Sequence, residues 1–296
     1  MKILLTGKHG QVGWELQRTL ATLGEVVALD RQTLDLGNPD SIRAAIREVK
    51  PGLIVNPAAY TAVDKAESEP ELAMAVNGTA PGIMAEEAKK LGAALIHYST
   101  DYVFDGCKTS PYTEDDIPNP INVYGKSKLA GEQAIQAVGV PHLILRTSWV
   151  YGMRGKNFLL TVLRLAKERD ALKIVDDQIG APTWSRMIAE ASAQIIAQAY
   201  APVSHRPLPI ADVSGIYNLT AAGRTSWCGF TRAILENARE GTRVSPIPTT
   251  DYPLPAPRPL FSLLASDKLT ETFGVKLPSW DDALALCMDR EIRAHD

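Results

Sequence analysis

Along the first half of the chain, short aliphatic runs alternate with longer stretches in which apolar positions recur every three or four residues. The runs "KILLT" (2–6), "EVVALD" (25–30), "GLIVN" (52–56), "AALIHYS" (93–99) and "HLILRTS" (142–148) read as strands with no polar face. Between them the helical period predicts helices over 11–24, 39–50, 70–91 and 123–138, with a long loop ending near 121. Strands that are apolar on both sides need cover on both sides. The alternation therefore predicts an α/β fold, a Rossmann-type doubly wound parallel sheet with helices on both faces. Beyond residue 150 the pattern loosens. Helices are predicted over 156–169, 184–199, 226–239, 266–273 and 280–293, strands at 172–175 and 215–220, and a loop at 201–212. Six prolines in "PIPTTDYPLPAPRP" (246–259) predict a rigid extended wall. The predicted organisation is a cofactor-binding domain over 1–150 with a returning segment at about 184–215. A smaller mixed substrate lobe takes 151–183 and 216–296.

Composition narrows the partners. A formal net charge of −3 without a Lys/Arg run argues against nucleic acid or an anionic membrane surface. The cysteines Cys107, Cys228 and Cys287 are scattered, with no C-x-x-C, and read as free thiols in a reducing compartment. No apolar run reaches the roughly 18 residues of a membrane span. "MKILLTG" passes from a strand directly into a glycine loop, so the expected location is cytoplasmic.

The first chemistry lies in "TGKHGQVG" (6–13), where Gly7, Gly10 and Gly13 follow strand one and open helix one. Missing side chains let a pyrophosphate approach the free N–H groups of a helix N-terminus. The G-K-[ST] ending of a triphosphate-cleaving loop is absent. Asp30 ends the second strand, where a carboxylate receives an adenosine ribose diol and favours NADH; Arg31, next to it, suits a 2′-phosphate and favours NADPH. The two cues disagree, and both cofactors stay open.

The second lies in "YGKSKLAGE" (124–132). Tyr124 and Lys128 are one helical turn apart on a common face. The strand before them ends in Ser99, Thr100 and Asp101, and carboxyl ends of strands are where ligands bind in such sheets. A phenol, an ammonium and a hydroxyl around one carbonyl can assist its reduction by a nicotinamide hydride. Tyrosine supplies the proton, lysine lowers the phenol's pKa from its usual value near ~10, and Thr100 steadies the developing oxyanion.

These stretches, with "NPAAYTAVDKAESEPELAMAVN" (56–77), "RTSWVYG" (146–152), "DDQIGAPT" (176–183) and "GIYNLT" (215–220), resemble the extended short-chain dehydrogenase/reductases across nearly the whole chain. Within them the resemblance is to enzymes that reduce the C4 keto group of a dTDP-linked 6-deoxysugar with NADPH or NADH. It implies Thr100, Tyr124 and Lys128 as the catalytic set. Gly10, Gln11 and Val12 would line the pyrophosphate, Asp30 the ribose, and Asp35 and Leu36 the adenine. Ala59, Tyr60, Thr61 and Tyr98 would border the cofactor. Thr100, Asp101 and Trp149 would contact the sugar, and Arg258 its diphosphate, although Phe261 stands where relatives carry an asparagine. Glu15 matches a position at which some relatives bind Mg²⁺ in a dimer; an exposed helix glutamate also needs no metal. Monomer and homodimer both remain open. So do two alternatives: another sugar-nucleotide 4-ketoreductase or 4-epimerase, and a nucleotide-binding regulatory subunit without turnover. A 4,6-dehydratase is disfavoured because Asp101 is followed by Tyr102, not by a second carboxylate.

Overall fold

A computed structural model describes residues 1–200 and 208–292, the last three of these without their side chains. Residues 201–207 of the loop read at 201–212, and the last residue of the helix read at 280–293, lie outside the described residues. The chain opens with β1 (Lys2–Leu5), α1 (Gln11–Thr19), β2 (Glu25–Ala28), α2 (Pro39–Val49) and β3 (Leu53–Asn56). Short helices α3 (Val63–Ala66) and α4 (Pro70–Met74) pass through a π-helical turn (Ala75–Thr79) into α5 (Ala80–Leu91). Next come β4 (Ala94–Thr100), α6 (Val123–Val138), β5 (His142–Thr147), β6 (Val150–Tyr151), α7 (Phe158–Glu168), β7 (Ala171–Val175), β8 (Ile179–Gly180) and β9 (Thr183–Trp184). The remainder is α8 (Ser185–Tyr200), β10 (Gly215–Asn218), β11 (Thr225–Ser226), α9 (Trp227–Asn237), β12 (Arg243–Ile247), α10 (Asp267–Phe273) and α11 (Trp280–Ile292).

Six strands form one parallel sheet in the order β10-β5-β4-β3-β1-β2. Side chains alternate across it, and each face buries its own core. Ile3, Leu5, Val55 and Ile96 meet Leu16 of α1 and Ile188 and Ile195 of α8; Leu4, Ile54, Leu95 and Ile144 meet Ile42, Met84 and Ile135 of α2, α5 and α6. This is the two-sided cover that the apolar strands demanded. Because β2 and β3 flank β1 on opposite sides, the connections leaving the sheet diverge there, opening a crevice at the carboxyl ends of the strands. A separate cluster of Tyr151, Leu159, Val162, Phe230, Ile234 and Leu284 joins α7, α9 and α11 beside it.

The departures from the sequence pattern have local causes. The stretch read as one helix over 70–91 is broken by the π turn, which turns Asn77 fully into the interior. Strand β12 was not foreseen because Pro246 lies within it. It is tolerated there because β12 pairs only with β7, in a two-stranded parallel ribbon. The two-residue strands β6, β8, β9 and β11 are too short to show a period at all.

Candidate active site

The glycine loop closes on itself. Gly7 has φ +60°, and a Cβ on Gly13 would sit 2.2 Å from the Gly7 carbonyl oxygen, so neither site accepts a side chain without moving the backbone. The N-cap of α1 is Gly10, which offers no side-chain acceptor, and the first turn has no acidic residue. The leading N–H groups of α1 therefore remain open to an anion, and this cradle fits a pyrophosphate. Gln11 does not face the cradle freely. It donates to the Val150 carbonyl and accepts from Asn157, tying the loop to β6. Val12 packs against the core beneath the sheet.

The crevice beside this cradle has a volume of about 280 Å³ and is lined by Gly7, Asp30, Asp35, Leu36, Ala59 and Tyr60, among others. Asp30 Oδ2 pairs with Lys8 at 2.9 Å, and His9 approaches to 3.5 Å. The other oxygen accepts from the Gln32 and Thr33 amides. The Lys8 ammonium, more than any other group, holds this carboxyl well below the usual carboxylate range. Arg31 extends into solvent, 4.0 Å from the Asp35 carboxylate. Asp35 also accepts from the Gly37 amide, and Leu36 is buried in the core. Tyr60 donates its hydroxyl to Glu69, and its backbone is clamped on both sides by Asn77. Thr61 is exposed.

Tyr98 calls for a correction. Alternation along β4 sends its ring to the α8 side of the sheet, where its hydroxyl donates to Ser192. Only its carbonyl serves the opposite face, accepting from Lys128 Nζ at 2.6 Å.

Thr100, Tyr124 and Lys128 converge at the ends of β4 and α6. Asn122 caps α6 by accepting from the Gly125 amide. Gly125 is what lets the helix come close: a Cβ there would lie 2.2 Å from the Tyr102 carbonyl oxygen. That approach brings the Tyr124 phenol beside Thr100, whose hydroxyl donates to Asp101 Oδ1 at 3.0 Å. Burial pushes the phenol up to about 12, opposed by Thr100 and reinforced by Asp101. The expectation that Lys128 lowers this value is not met. The reason is geometric, since the ammonium is turned onto the Tyr98 carbonyl and His97 Nε2, at 2.6 and 3.1 Å. Burial lowers Lys128 itself to about 8. Asp101 is buried with one oxygen unpartnered, and desolvation raises it to about 7 despite help from Ser262 and Thr100. Around neutral pH the phenol therefore holds its proton.

A second cavity, about 550 Å³, is lined by Tyr102, Phe158, Gln178, Trp227, Tyr252 and Arg258, among others. Trp149 has φ +46° and stacks on Trp227, with ring centres 3.6 Å apart and planes within 4°. Its strained backbone serves that stack. Trp227, which the sequence reading missed, lines the cavity itself and donates to Gln178. Arg258 also faces the cavity but is already paired with Asp64 at 2.9 Å. Phe261 packs with the cluster of Val103, Phe104, Tyr112 and Leu264, so the apolar residue at this position belongs to a core.

Asn77 and His97 were also missed. Buried polar residues inside apolar patterns are their signal: Asn77 closes "MAVN", and His97 interrupts strand four. Glu15 shares a guanidinium with Glu190: Arg186 lies 3.7 Å from the first and 3.5 Å from the second. No cluster of three acidic, His or Cys side chains suited to a metal occurs among the described residues. Nor is any helix among them long and apolar enough to cross a membrane.

Comparison with known proteins agrees with this geometry. Residues 1–292 match the family described as RmlD substrate binding domain. The dTDP-4-dehydrorhamnose reductase of Burkholderia thailandensis is 50% identical, with 97% of this chain and 98% of the relative covered. A crystal structure of a Clostridium acetobutylicum dTDP-4-dehydrorhamnose reductase superposes with a TM-score of 0.91 at 36% identity, covering 99% and 100% of the two chains. The Bacillus anthracis reductase, solved in complex with NADP, gives 0.89 at 33% identity over 98% and 99%. The chain belongs to the dTDP-4-dehydrorhamnose reductase family.

Proposed function

We propose that this protein reduces the C4 keto group of dTDP-4-dehydro-L-rhamnose to give dTDP-L-rhamnose, using NADPH or NADH, with Tyr124 as proton donor. The observation that supports this reading is the gathering of Tyr124 beside Thr100 at the carboxyl end of β4, with Lys128 one turn further along α6. Gly7, Gly10 and Gly13 would hold the cofactor pyrophosphate, with Asp30 and Lys8 at the ribose. The bound cofactor supplies the hydride that C4 accepts. Tyr124, kept protonated by burial, gives its proton to O4. Thr100 orients the phenol and steadies the developing oxyanion. As an ammonium, Lys128 has three N–H groups, of which Tyr98 and His97 take two, and the third would serve the cofactor ribose. Trp149 and Trp227 would offer a flat apolar wall to the sugar's methyl side, and Asp101 a polar contact. Residues 1–150 with the returning α8 would form the cofactor half, and the rest the substrate half.

The test is NADPH oxidation, followed by absorbance, with dTDP-4-dehydro-L-rhamnose as substrate. Turnover that yields dTDP-L-rhamnose by NMR supports the assignment. No oxidation with this or any other 4-keto sugar nucleotide overturns it.

A further inference from the structure

Behind Lys128 runs a row of buried polar side chains that the proposed reaction does not use. Lys128 Nζ lies 3.1 Å from His97 Nε2, and His97 Nδ1 lies 3.0 Å from Asn56 Nδ2. Asn56 Oδ1 accepts from Thr6 Oγ1 at 2.6 Å, and Thr6 Oγ1 accepts from the Ala58 amide. All four side chains are at most 1% exposed. Asn56 and His97 are register partners on β3 and β4, and Thr6 directly follows β1. The row thus crosses three strands, from α6 to the floor of the cofactor crevice, which Thr6 and Ala58 line.

The row has two self-consistent directions. With Asn56 donating to Nδ1, neutral His97 carries its proton on Nε2 and points it at Lys128, which suits only an uncharged amine. With Lys128 as ammonium, Nε2 must accept and Nδ1–H must donate. Asn56 then turns its carbonyl to His97 and its amide to Thr6. One proton on the lysine reverses every bond down to Thr6. His97 stays neutral in both directions, because burial and the Lys128 charge hold it well below its ordinary value. Other titratable groups around Lys128 are committed or one turn away. Glu132 is paired with Arg146, and Glu67 receives the Val123 amide. Asp64 holds Arg258, Glu87 on α5 holds Arg47 and Lys90, and Tyr124 and Asp101 face Thr100.

We propose that His97, backed by Asn56 and Thr6, is a positioning residue that couples the protonation of Lys128 to the floor of the cofactor crevice. This rests on the reductase reading only for its catalytic consequence, so its first test is independent of turnover. In ¹⁵N-histidine-labelled protein, His97 should pass from the Nδ1–H to the Nε2–H form as pH rises through the lysine's titration, without becoming a cation. An unchanged tautomer from pH 6 to 10 overturns the proposal. The second test is the alkaline limb of kcat at saturating NADPH. His97→Gln keeps an acceptor for the ammonium and should move the limb up. His97→Leu removes it and should move the limb down, each by about one pH unit. A purely structural histidine would leave both folded variants on the wild-type limb, or move both the same way, and either result overturns the coupling.

Discussion

Tyr124, Lys128 and Thr100 could be singled out from helical spacing together with the end of the preceding strand, but their charge states could not. The Tyr–Lys spacing suggested a lysine that acidifies the phenol. Instead the ammonium is turned to His97 and the Tyr98 carbonyl, and burial leaves the phenol protonated to about 12. Tyr124→Phe should cut kcat by about 10²–10⁴-fold, while NADPH affinity by fluorescence titration stays within about twofold. A variant that turns over at the wild-type rate would remove Tyr124 as the donor. Asp101 gives a second test. Its carboxyl is raised from 3.8 to about 7 by burial, so the folded state binds its proton more tightly than the unfolded state. The stability it contributes is full below pH 3.8 and is lost as pH rises towards 7, by up to about 1.4 kcal/mol per pH unit. In urea melts, Asp101→Asn should therefore gain on the wild type between pH 4.5 and 7.5. A constant difference across that range would mean the carboxyl is ionised throughout.

At the scale of elements, the strands and the helix at Val123–Val138 followed from their periods, because each buries a face that the pattern marks. The glycine loop was legible for the same kind of reason: Gly7 and Gly13 are required by backbone contacts within a few residues. Gly13→Ala should weaken NADPH binding by at least about tenfold, a loss of about 1.4 kcal/mol, because the added methyl meets the Gly7 carbonyl. Unchanged affinity by titration would show that the cradle can open at no cost. Less legible was the pair between α6 and β5, Glu132 with Arg146, bidentate at 3.0 and 2.7 Å and buried on both sides. Neither residue announces its partner. Glu132→Ala strands a buried guanidinium and should cost about 3–5 kcal/mol in chemical denaturation. A loss below about 1 kcal/mol would mean that water reaches Arg146.

Across the whole molecule, the two cavities are made by segments far apart in the chain. The proline-rich stretch brings Tyr252, Ala256 and Arg258 to the larger one, and α9 brings Trp227. The prolines foretold a stiff wall but not its address. Arg258 was expected at a diphosphate, yet Asp64, close in space and remote in sequence, already holds it. Glu15 offers a similar lesson, for Arg186 on α8 lies between it and Glu190, a neighbour that the sequence does not announce. EDTA should leave the thermal midpoint and the mass by light scattering unchanged, and a chelator-dependent shift in either would restore the metal reading.

What this sequence determined by itself is whatever depends on near neighbours. Alternation and helical period set the parallel sheet and its cover, since burial is read from a few consecutive side chains. Glycines set the phosphate cradle, since backbone clashes act locally. Only the tertiary structure decided where each polar atom is spent. The direction of Lys128, the core role of Tyr98, the Trp149–Trp227 stack and the buried row from His97 to Thr6 all join strands or helices distant in sequence. Hydrogen bonds and ion pairs are settled by distances of about 3 Å in space, and no spacing along a chain encodes those.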